Sequence, residues 1–269
     1  MRLGYPLRRR GLAERLRRRA PPEWLVTLPN ARYWNVYCHN DDKGSLIMVD
    51  FAKARTTMVD CQIRTVDVTE YDVLDAFAAV PREIFAPDHL KPLAYIDEDL
   101  LVSAPGNAPR YVMEPGPLAK LVQLAAILPT DRVLDVGTAT GYSAAILSHL
   151  AASVVALESD EALAATARDN LAKLGITNVE VVGGPLPEGH AAQAPYDVIL
   201  LEGAVELIPP ALIEQLGEGG RIIAVVGTNG LAAKAMIYTR SGGSVSGLPA
   251  FNTSVRALPG FARPKSFVF

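Results

Sequence analysis

One glycine-bounded turn, in the segment VLDVGTATGY (133–142), combines residue types that could bind a nucleoside. Asp135 lies two residues before Gly137, and Gly141 closes the turn before a helical pattern begins. In parallel α/β sheets, ligands bind beyond the carboxyl ends of the strands, and the N–H groups of a helix start bind anionic groups. Glu158 ends the next predicted strand, where a carboxylate can accept hydrogen bonds from both ribose hydroxyls. Together these features predict a nucleoside site.

The charge of Asp135 distinguishes two classes of nucleoside cofactor. Dinucleotide enzymes use G-x-G-x-x-G, but Ala139 and Tyr142 occupy the second and third glycine positions. A pyrophosphate would add negative charges beside Asp135, and each like-charge pair at about 5 Å costs about 3 kcal/mol at an effective dielectric constant of about 20. S-adenosyl-L-methionine brings a sulfonium and an ammonium group instead. We therefore expect this cofactor, whereas the glycines alone would also fit a turn without a ligand.

Alternating strands and helices position the turn. Strands are predicted at 132–136, 153–158, 178–182, 196–203 and 220–227. The helices expected between and before them lie at 118–128, 142–150, 161–174 and 210–216. Continuous apolar strands that alternate with helices indicate a doubly wound, mostly parallel α/β sheet, covered on both faces. Near the C-terminus, KAMIYTRSGGSVSGL predicts an antiparallel hairpin, and an N-terminal helical extension is predicted at 52–63 and 70–80.

Charge separates the start of the chain from the rest. The chain has 269 residues and a net charge of −3, but residues 1–20 contain eight arginines and one acid, Glu14, so the rest carries −10. An acidic body argues against a nucleic-acid-binding face, and no apolar run approaches the roughly 18 residues that span a bilayer. Cys38 and Cys61 are expected to be free thiols. We expect a cytoplasmic protein, a monomer or weak dimer, that binds neither nucleic acid nor membranes.

Two regions follow from this charge pattern. Residues 1–47 are predicted to be an arginine-rich extension that is disordered or not native to the protein, with Met48 as the functional start; a basic arm is the alternative. Residues 48–269 are predicted to form the functional domain. Within it, 48–115 would be the helical, substrate-side part and 116–269 the cofactor-binding core.

The segments around the turn resemble those of a known family, the protein-L-isoaspartate O-methyltransferases, across about 58–226. The similar segments are VPREIFAP, AYIDEDL, VLDVGTATGYSAAIL, LGITNVEVVGG, PYDVILLEGA and IPPALIEQLGEGGRIIAVVG. Alphaproteobacterial-type members also share an ending like LPGFARPKSFVF. The resemblance implies a seven-strand class I S-adenosylmethionine-dependent methyltransferase fold. It also implies methyl transfer to the carboxylate of L-isoaspartyl (D-aspartyl) residues in damaged proteins or peptides, which begins their repair.

The turn and the resemblance together give the expected site. Cofactor contacts are expected at Asp135, Gly137, Thr138, Ala139, Thr140, Gly141, Tyr142, Glu158, Gly184 and Pro185. Tyr111, Met113 and Glu114 are expected on the substrate side, with Met113 where family members carry a serine and Arg110 as the partner of Glu114. Gly184 stands where members carry the acid of a Gly-Asp-Gly segment.

No catalytic side chain and no metal ligand is predicted. The acceptor carboxylate has a pKa near 4, so it is already ionised at neutral pH and needs no base. His89, His149 and His190 are expected to be ordinary surface or helix residues. Two alternatives stay open: a methyltransferase that acts on another acceptor, and a protein that binds S-adenosylmethionine without turnover.

Overall fold

The computed structural model describes residues 49–227 and 233–263. The predicted extension at 1–47 and the predicted start at Met48 lie outside the described residues, as does Cys38. Cys61 is a free, exposed thiol, as expected. No helix in the described part of the chain is both long and apolar enough to cross a membrane.

The first part of the described chain is helical. Helix α1 (Phe51–Met58) is capped at its N-terminus by Asp50, whose carboxylate accepts a hydrogen bond from the backbone N–H of Lys53 at 3.0 Å. The helix continues as a π-helical turn and then a short 3₁₀ turn. Helix α2 (Tyr71–Ala79) stops before Pro81. Strands β1 (Leu100–Leu101) and β2 (Tyr111–Val112) pair antiparallel. The predicted helical extension is therefore confirmed.

Helix α3 (Pro115–Ala125) lies three residues earlier than the predicted 118–128. Pro115 occupies the first helical turn, where a missing N–H costs nothing, so the helix begins before Pro117. Ala126 adopts a positive φ of 47° and ends it. The prediction was wrong at the N-terminal end because Pro117 was placed in the first helical turn, which Pro115 occupies, and at the C-terminal end because Ala126 leaves the helical conformation.

The main sheet contains seven strands. They are β3 (Arg132–Val136), β4 (Ser153–Glu158), β5 (Val179–Gly183), β6 (Tyr196–Val205), β7 (Leu216–Val226), β8 (Ala233–Ser241) and β9 (Ser244–Thr253). Their order is β5-β4-β3-β6-β7-β8-β9. The first five run parallel, β8 runs antiparallel to β7, and β8 and β9 form the predicted hairpin. Helices α4 (Tyr142–Ser148), α5 (Glu161–Lys173) and α6 (Pro210–Glu214) connect the parallel strands.

Both faces of this sheet are buried, which explains why its strands are continuously apolar. Val133, Val198 and Leu200 belong to a core shared with the N-terminal helices. Leu134 and Ile199, their neighbours in sequence, belong to a second core on the opposite face. Strand β3 lies between β4 and β6, so the chain order reverses there, and the carboxyl ends of β3 and β6 border the crevice where such sheets bind ligands.

Candidate active site

The turn after β3 holds a conformation that few residues adopt. Gly137 and Gly141 have φ values of 90° and 94°, and Ala139, between them, has a φ of 52°. A Cβ on Gly141 would lie 3.2 Å from the Cβ of Ala167 in α5, so the glycine also allows close helix packing. The turn therefore brings its backbone to the carboxyl end of the sheet, as the sequence predicts.

Asp135 is fully buried under the turn. Its Oδ2 accepts a hydrogen bond from the Ser143 hydroxyl at 2.7 Å, and its Oδ1 has no partner among the described residues. Burial raises the pKa of Asp135 to about 6, although the Ser143 hydrogen bond lowers it in part. The carboxylate thus retains an unused acceptor.

Glu158 is also fully buried, and protein donors occupy both of its oxygens. Oε1 accepts hydrogen bonds from the Ser159 N–H at 2.8 Å, the Ser159 hydroxyl at 3.2 Å and the Asp160 N–H at 3.1 Å. Oε2 accepts from the Ala139 N–H and from Arg110 Nη2, each at 2.8 Å. Because a carboxylate offers about four lone-pair sites, this arrangement leaves no room for a further donor.

A third acid, Glu202 in β6, lies beside Asp135 and was not predicted from the sequence. Its Oε1 is buried without a partner in the described part of the chain. Burial and the neighbouring charge of Asp135 raise the pKa of Glu202. The sequence does show an acid near the end of the apolar run YDVILLEG. That this acid lies beside β3 depends on the order of the strands in the sheet, which the run itself does not reveal.

Arg110, just before β2, reaches into the same crevice. The guanidinium is 4% exposed, its Nη2 donates to the Gly137 carbonyl at 2.7 Å as well as to Glu158, and its Nε has no partner among the described residues. A Cβ on Gly137 would lie 2.8 Å from Nη2. The predicted pairing of Arg110 with Glu114 is wrong, because Arg110 faces the strand ends.

Glu114 instead lies near other acids. Its pKa is raised to about 7, first by burial and then by the charges of Asp97, Asp99 and Glu98. Its backbone N–H donates to Asp99 Oδ1 at 2.9 Å. Near neutral pH the carboxyl is therefore only partly ionised.

A C-terminal segment passes over the end of β6. The Ala204 N–H donates to the Arg256 carbonyl, and the Leu258 N–H donates to the Ala204 carbonyl, both at 2.8 Å. Leu258 is buried, and its Cδ1 lies 2.7 Å from where a Cβ on Gly137 would be. Leu258 and Arg110 together fill the space in front of Gly137.

Two of the three expected substrate-side residues, Tyr111 and Met113, line a cavity or groove, and Glu114 does not. Tyr111 and Met113 line a cavity of about 10 Å³ together with Arg110, Glu202 and Arg256, which is room for about one water molecule. Tyr111 and Arg256 also border a groove of about 450 Å³, whose other walls include Leu258 and Phe261. Glu114 lines neither space. The structure therefore brings Tyr111 and Met113 to the crevice and leaves Glu114 beside it.

Two of the other expected cofactor residues, Tyr142 and Thr140, direct their side chains into the protein and away from the crevice. Tyr142 packs into the core against Phe77 and Phe85, and the Thr140 hydroxyl donates to the Phe85 carbonyl at 2.7 Å. Only the backbones of Tyr142 and Thr140 remain for the predicted contacts. The hydroxyl of Thr138 is buried beside Asp135.

Gly184 and Pro185 follow β5. The Gly184 N–H donates to the Glu158 carbonyl at 3.2 Å, and Pro185 is exposed. They lie next to the end of the strand that carries Glu158.

The residues at these strand ends fit a ligand with positive charge. Asp135, Glu158 and Glu202 face one cation, Arg110, and two of the acids keep an oxygen without a partner in the described chain. Arg110 and Leu258 occupy the position in front of Gly137, so a nucleoside fits there only once these side chains move.

A family comparison decides the identity. The family model of the protein-L-isoaspartate(D-aspartate) O-methyltransferases (PCMT) matches residues 53–254, most of the chain. The chain belongs to this family. Membership confirms the sequence-based resemblance and the predicted S-adenosyl-L-methionine cofactor.

Individual members of the family show the same relationship. The chain is 42% identical over 195 residues to a protein-L-isoaspartate O-methyltransferase of Koribacter versatilis (strain Ellin345), an alignment that covers 72% of this chain and 86% of that relative. It is 40% identical over 184 residues to the protein of that name from Methylorubrum extorquens (strain PA1), with 67% and 77% covered.

Solved structures of the family share the fold. One protein-L-isoaspartate O-methyltransferase superposes with a TM-score of 0.69 at 26% identity, covering 77% of this chain and 66% of that chain. A Plasmodium falciparum structure described as a putative family member, in complex with S-adenosyl-L-homocysteine, superposes with a TM-score of 0.64 at 17% identity, covering 78% and 99%. The predicted class I methyltransferase fold is confirmed.

Proposed function

We propose that this chain transfers the methyl group of S-adenosyl-L-methionine to the free carboxylate of L-isoaspartyl (D-aspartyl) residues in damaged proteins, the first step of their repair. Membership of the family supports the reaction. The structural observation that carries the cofactor assignment is the pair of buried acids, Asp135 and Glu202, which each keep an oxygen without a partner in the described chain.

Each strand end has a proposed role. Asp135 and Glu202 would lie nearest the positive groups of the cofactor, Glu158 would accept the ribose hydroxyls, and Gly184 and Pro185 would border the adenine. Thr138 would contribute its hydroxyl, which is buried beside Asp135. S-adenosylmethionine, when bound, supplies a methyl group on a sulfonium, which is a strong electrophile.

The reaction requires placement more than side-chain chemistry. The acceptor carboxylate is ionised at neutral pH, so its oxygen attacks the methyl carbon directly. The new carbon–oxygen bond forms as the carbon–sulfur bond breaks, the sulfur keeps the electron pair, and no proton moves. Holding the two groups in line can account for about 7 kcal/mol or more of the barrier.

The acceptor side is proposed at the groove beside Tyr111. A volume of about 450 Å³ accommodates a peptide segment, and the small cavity next to it leads towards the acids. Met113 offers an apolar wall and no hydrogen-bond donor. The donors near an acceptor carboxylate are therefore the two arginines, Arg110 and Arg256.

Cofactor binding can be tested separately from turnover. Asp135→Ala should weaken binding of S-adenosylmethionine by about 1–3 kcal/mol, the loss expected for contacts with charged groups, as measured by isothermal titration. Asp197→Ala is the matched control, because this acid accepts a hydrogen bond from the Arg132 N–H at the opposite end of β3. Equal affinities in the wild type and both variants would contradict the proposed site.

The acceptor needs its own assay. Labelled S-adenosylmethionine should methylate a peptide that contains L-isoaspartate and leave the same peptide with L-aspartate unmodified. Methylation of other acceptors only would favour a different methyltransferase. Tight cofactor binding without transfer to any carboxylate would favour a binding protein without turnover.

We also infer where and how the protein acts. Its substrates would be proteins and peptides and not nucleic acid, since the chain outside residues 1–20 carries a charge of −10. We propose that it works in the cytoplasm as a monomer or weak dimer, with 48–269 as the functional domain.

A further inference from the structure

Glu158 cannot accept a ribose while all its present donors remain. Its three backbone donors, from Ala139, Ser159 and Asp160, belong to the turn and to the start of α5, so the fold fixes them. Arg110 comes from a distant part of the chain through a long side chain. Two side-chain donors can leave without unfolding the turn: the Ser159 hydroxyl, which occupies Oε1, and the guanidinium, which occupies Oε2. A ribose that uses both oxygens therefore requires the guanidinium to leave.

We propose that Arg110 exchanges partners during the reaction: it leaves Glu158 when the cofactor ribose binds and then binds the carboxylate of the isoaspartyl acceptor. This inference rests on the proposed function. It makes Arg110 a positioning and specificity residue in place of the serine that family members carry at the position of Met113.

The attachment of Arg110 permits this movement. Its backbone is held, because its carbonyl accepts from the Val102 N–H at 2.9 Å and its N–H donates to the Ser103 hydroxyl at 3.1 Å. The loop 104–109 is exposed, and a hydrogen bond from Asn107 Nδ2 to Asp160 Oδ2 at 3.0 Å ties it to the body. The side chain can thus rotate while β1 and β2 stay paired.

The present position of the guanidinium is also incompletely satisfied. One nitrogen, Nη2, makes both contacts, with Glu158 and with the Gly137 carbonyl, while Nε is buried with no partner in the described chain. An arginine that binds a carboxylate through two parallel N–H groups makes stronger contacts than this. Arg110 therefore has unused donors to offer a second carboxylate.

An acceptor carboxylate in the groove would meet Arg110 at the small cavity beside it. Arg110 forms one wall of that cavity, and Tyr111, Met113, Arg256 and two acids, Asp99 and Glu202, form others. Met113 cannot donate a hydrogen bond, and Arg256 is paired with Asp99 at 3.1 Å. Once free of Glu158, Arg110 is the buried cation beside this cavity, and a carboxylate there replaces the charge partner that it lost.

The exchange predicts coupling between the two ligands. Cofactor binding releases the group that holds the acceptor, so the cofactor should increase affinity for the isoaspartyl peptide, and the peptide should increase affinity for the cofactor by the same factor. An arginine that only stabilises the fold would give no such coupling.

The first test measures cofactor affinity without turnover. S-adenosylhomocysteine should bind Arg110→Met at least about fivefold more tightly than the wild type, since the wild type must first expose Glu158. Arg221→Met is the matched control, because Arg221 forms an ion pair with Asp131 at 2.8 Å at the other end of the sheet. Unchanged or weaker binding by Arg110→Met, with the wild type binding normally, would overturn the exchange and leave the proposed function standing.

The second test measures the acceptor. Arg110→Met should raise KM for an isoaspartyl peptide by at least about tenfold at saturating cofactor, with a smaller change in kcat. Arg110→Lys, which keeps the charge, should recover part of the loss. An unchanged KM would exclude Arg110 from acceptor binding. Failure of the wild type itself to bind S-adenosylhomocysteine would contradict the proposed function.

A measurement on the wild-type protein covers the case in which Arg110→Met does not fold. The NMR signal of Arg110 Nε–H, assigned by its loss in Arg110→Lys, should shift when S-adenosylhomocysteine binds and shift again when the isoaspartyl peptide is added. A signal that neither ligand moves would show that Arg110 stays on Glu158, and the proposal would fail.

Discussion

At the scale of single residues, the carboxyl group of Asp135 links the site to the stability of the fold. It is buried beside Glu202 and near Glu158, and no cation other than Arg110 lies near it among the described residues. Burial of an ionised acid without a full set of partners is unfavourable. The ligand-free protein therefore stabilises the protonated form of Asp135.

This arrangement predicts a specific dependence of stability on pH. The pKa of Asp135 is about 6 in the folded protein and about 3.9 in the unfolded chain. Between these values the folded state binds more protons, so the contribution of Asp135 is fully present below about pH 4 and is lost as the pH rises through 6. The loss amounts to about 3 kcal/mol.

The Asp135→Asn variant tests this prediction. The difference in unfolding free energy between Asp135→Asn and the wild type, measured by urea unfolding from pH 4.5 to 7.5, should grow in favour of the variant as the pH rises. Asp197→Asn, at the opposite end of the sheet, should keep the wild-type slope. Parallel pH curves for Asp135→Asn and the wild type would contradict the burial argument.

Local sequence patterns identified some of these residues and missed others for a physical reason. Asp135 and Glu158 could be predicted as site residues because Asp135 lies one residue before the end of the apolar strand β3 and Glu158 ends β4, each next to a turn. Arg110 and Glu202 reach the crevice from other parts of the chain, so their positions depend on tertiary contacts. The partner of Arg110 was assigned wrongly, because nearness in sequence to Glu114 says nothing about the direction of a side chain.

At the scale of elements, the turn between β3 and α4 has little tolerance for a side chain at Gly137. The φ of 90° is unfavourable for any residue with a Cβ. A Cβ would also lie 2.7 Å from Leu258 and 2.8 Å from Arg110. Both effects act on the strand end that positions Asp135.

We expect Gly137→Ala to lower the unfolding free energy by about 2 kcal/mol or more, as measured by urea unfolding, and to weaken cofactor binding. Gly183→Ala is the control, because that glycine ends β5 without a positive φ, and a Cβ added there would meet no atom within 4 Å. Equal unfolding midpoints for the two variants would show that Leu258 and Arg110 move aside at little cost.

The elements differ in how closely sequence could define them. Strands β3 and β4 have the predicted bounds, and β5 is shifted by one residue, because buried parallel strands are apolar runs with polar ends. Strand β7 begins at Leu216, before the predicted 220, since the glycine-rich stretch looked like a loop. The pairing of β1 with β2 involves two residues each and leaves no periodic signal.

At the scale of the whole molecule, strand order creates the site. The alternation of strands and helices predicts a parallel sheet, but not that β6 lies beside β3. That adjacency brings Glu202 to Asp135, and the segment that contains Leu258 then closes the crevice. A long-range feature of this kind becomes visible only in three dimensions.

The position of the buried core predicts where the functional domain begins. The buried core of the described chain begins with Met58, Val59 and Ile63 in and just after α1, and the family match begins at residue 53.

A protein that starts at Met48 should therefore have the unfolding free energy of the full chain within about 0.5 kcal/mol and the same affinity for S-adenosylhomocysteine. A protein that starts at Thr65 loses three buried side chains and should be severely destabilised. Weaker cofactor binding by the Met48 form would show that residues 1–47 contribute to function, and full stability of the Thr65 form would show that α1 is not part of the core.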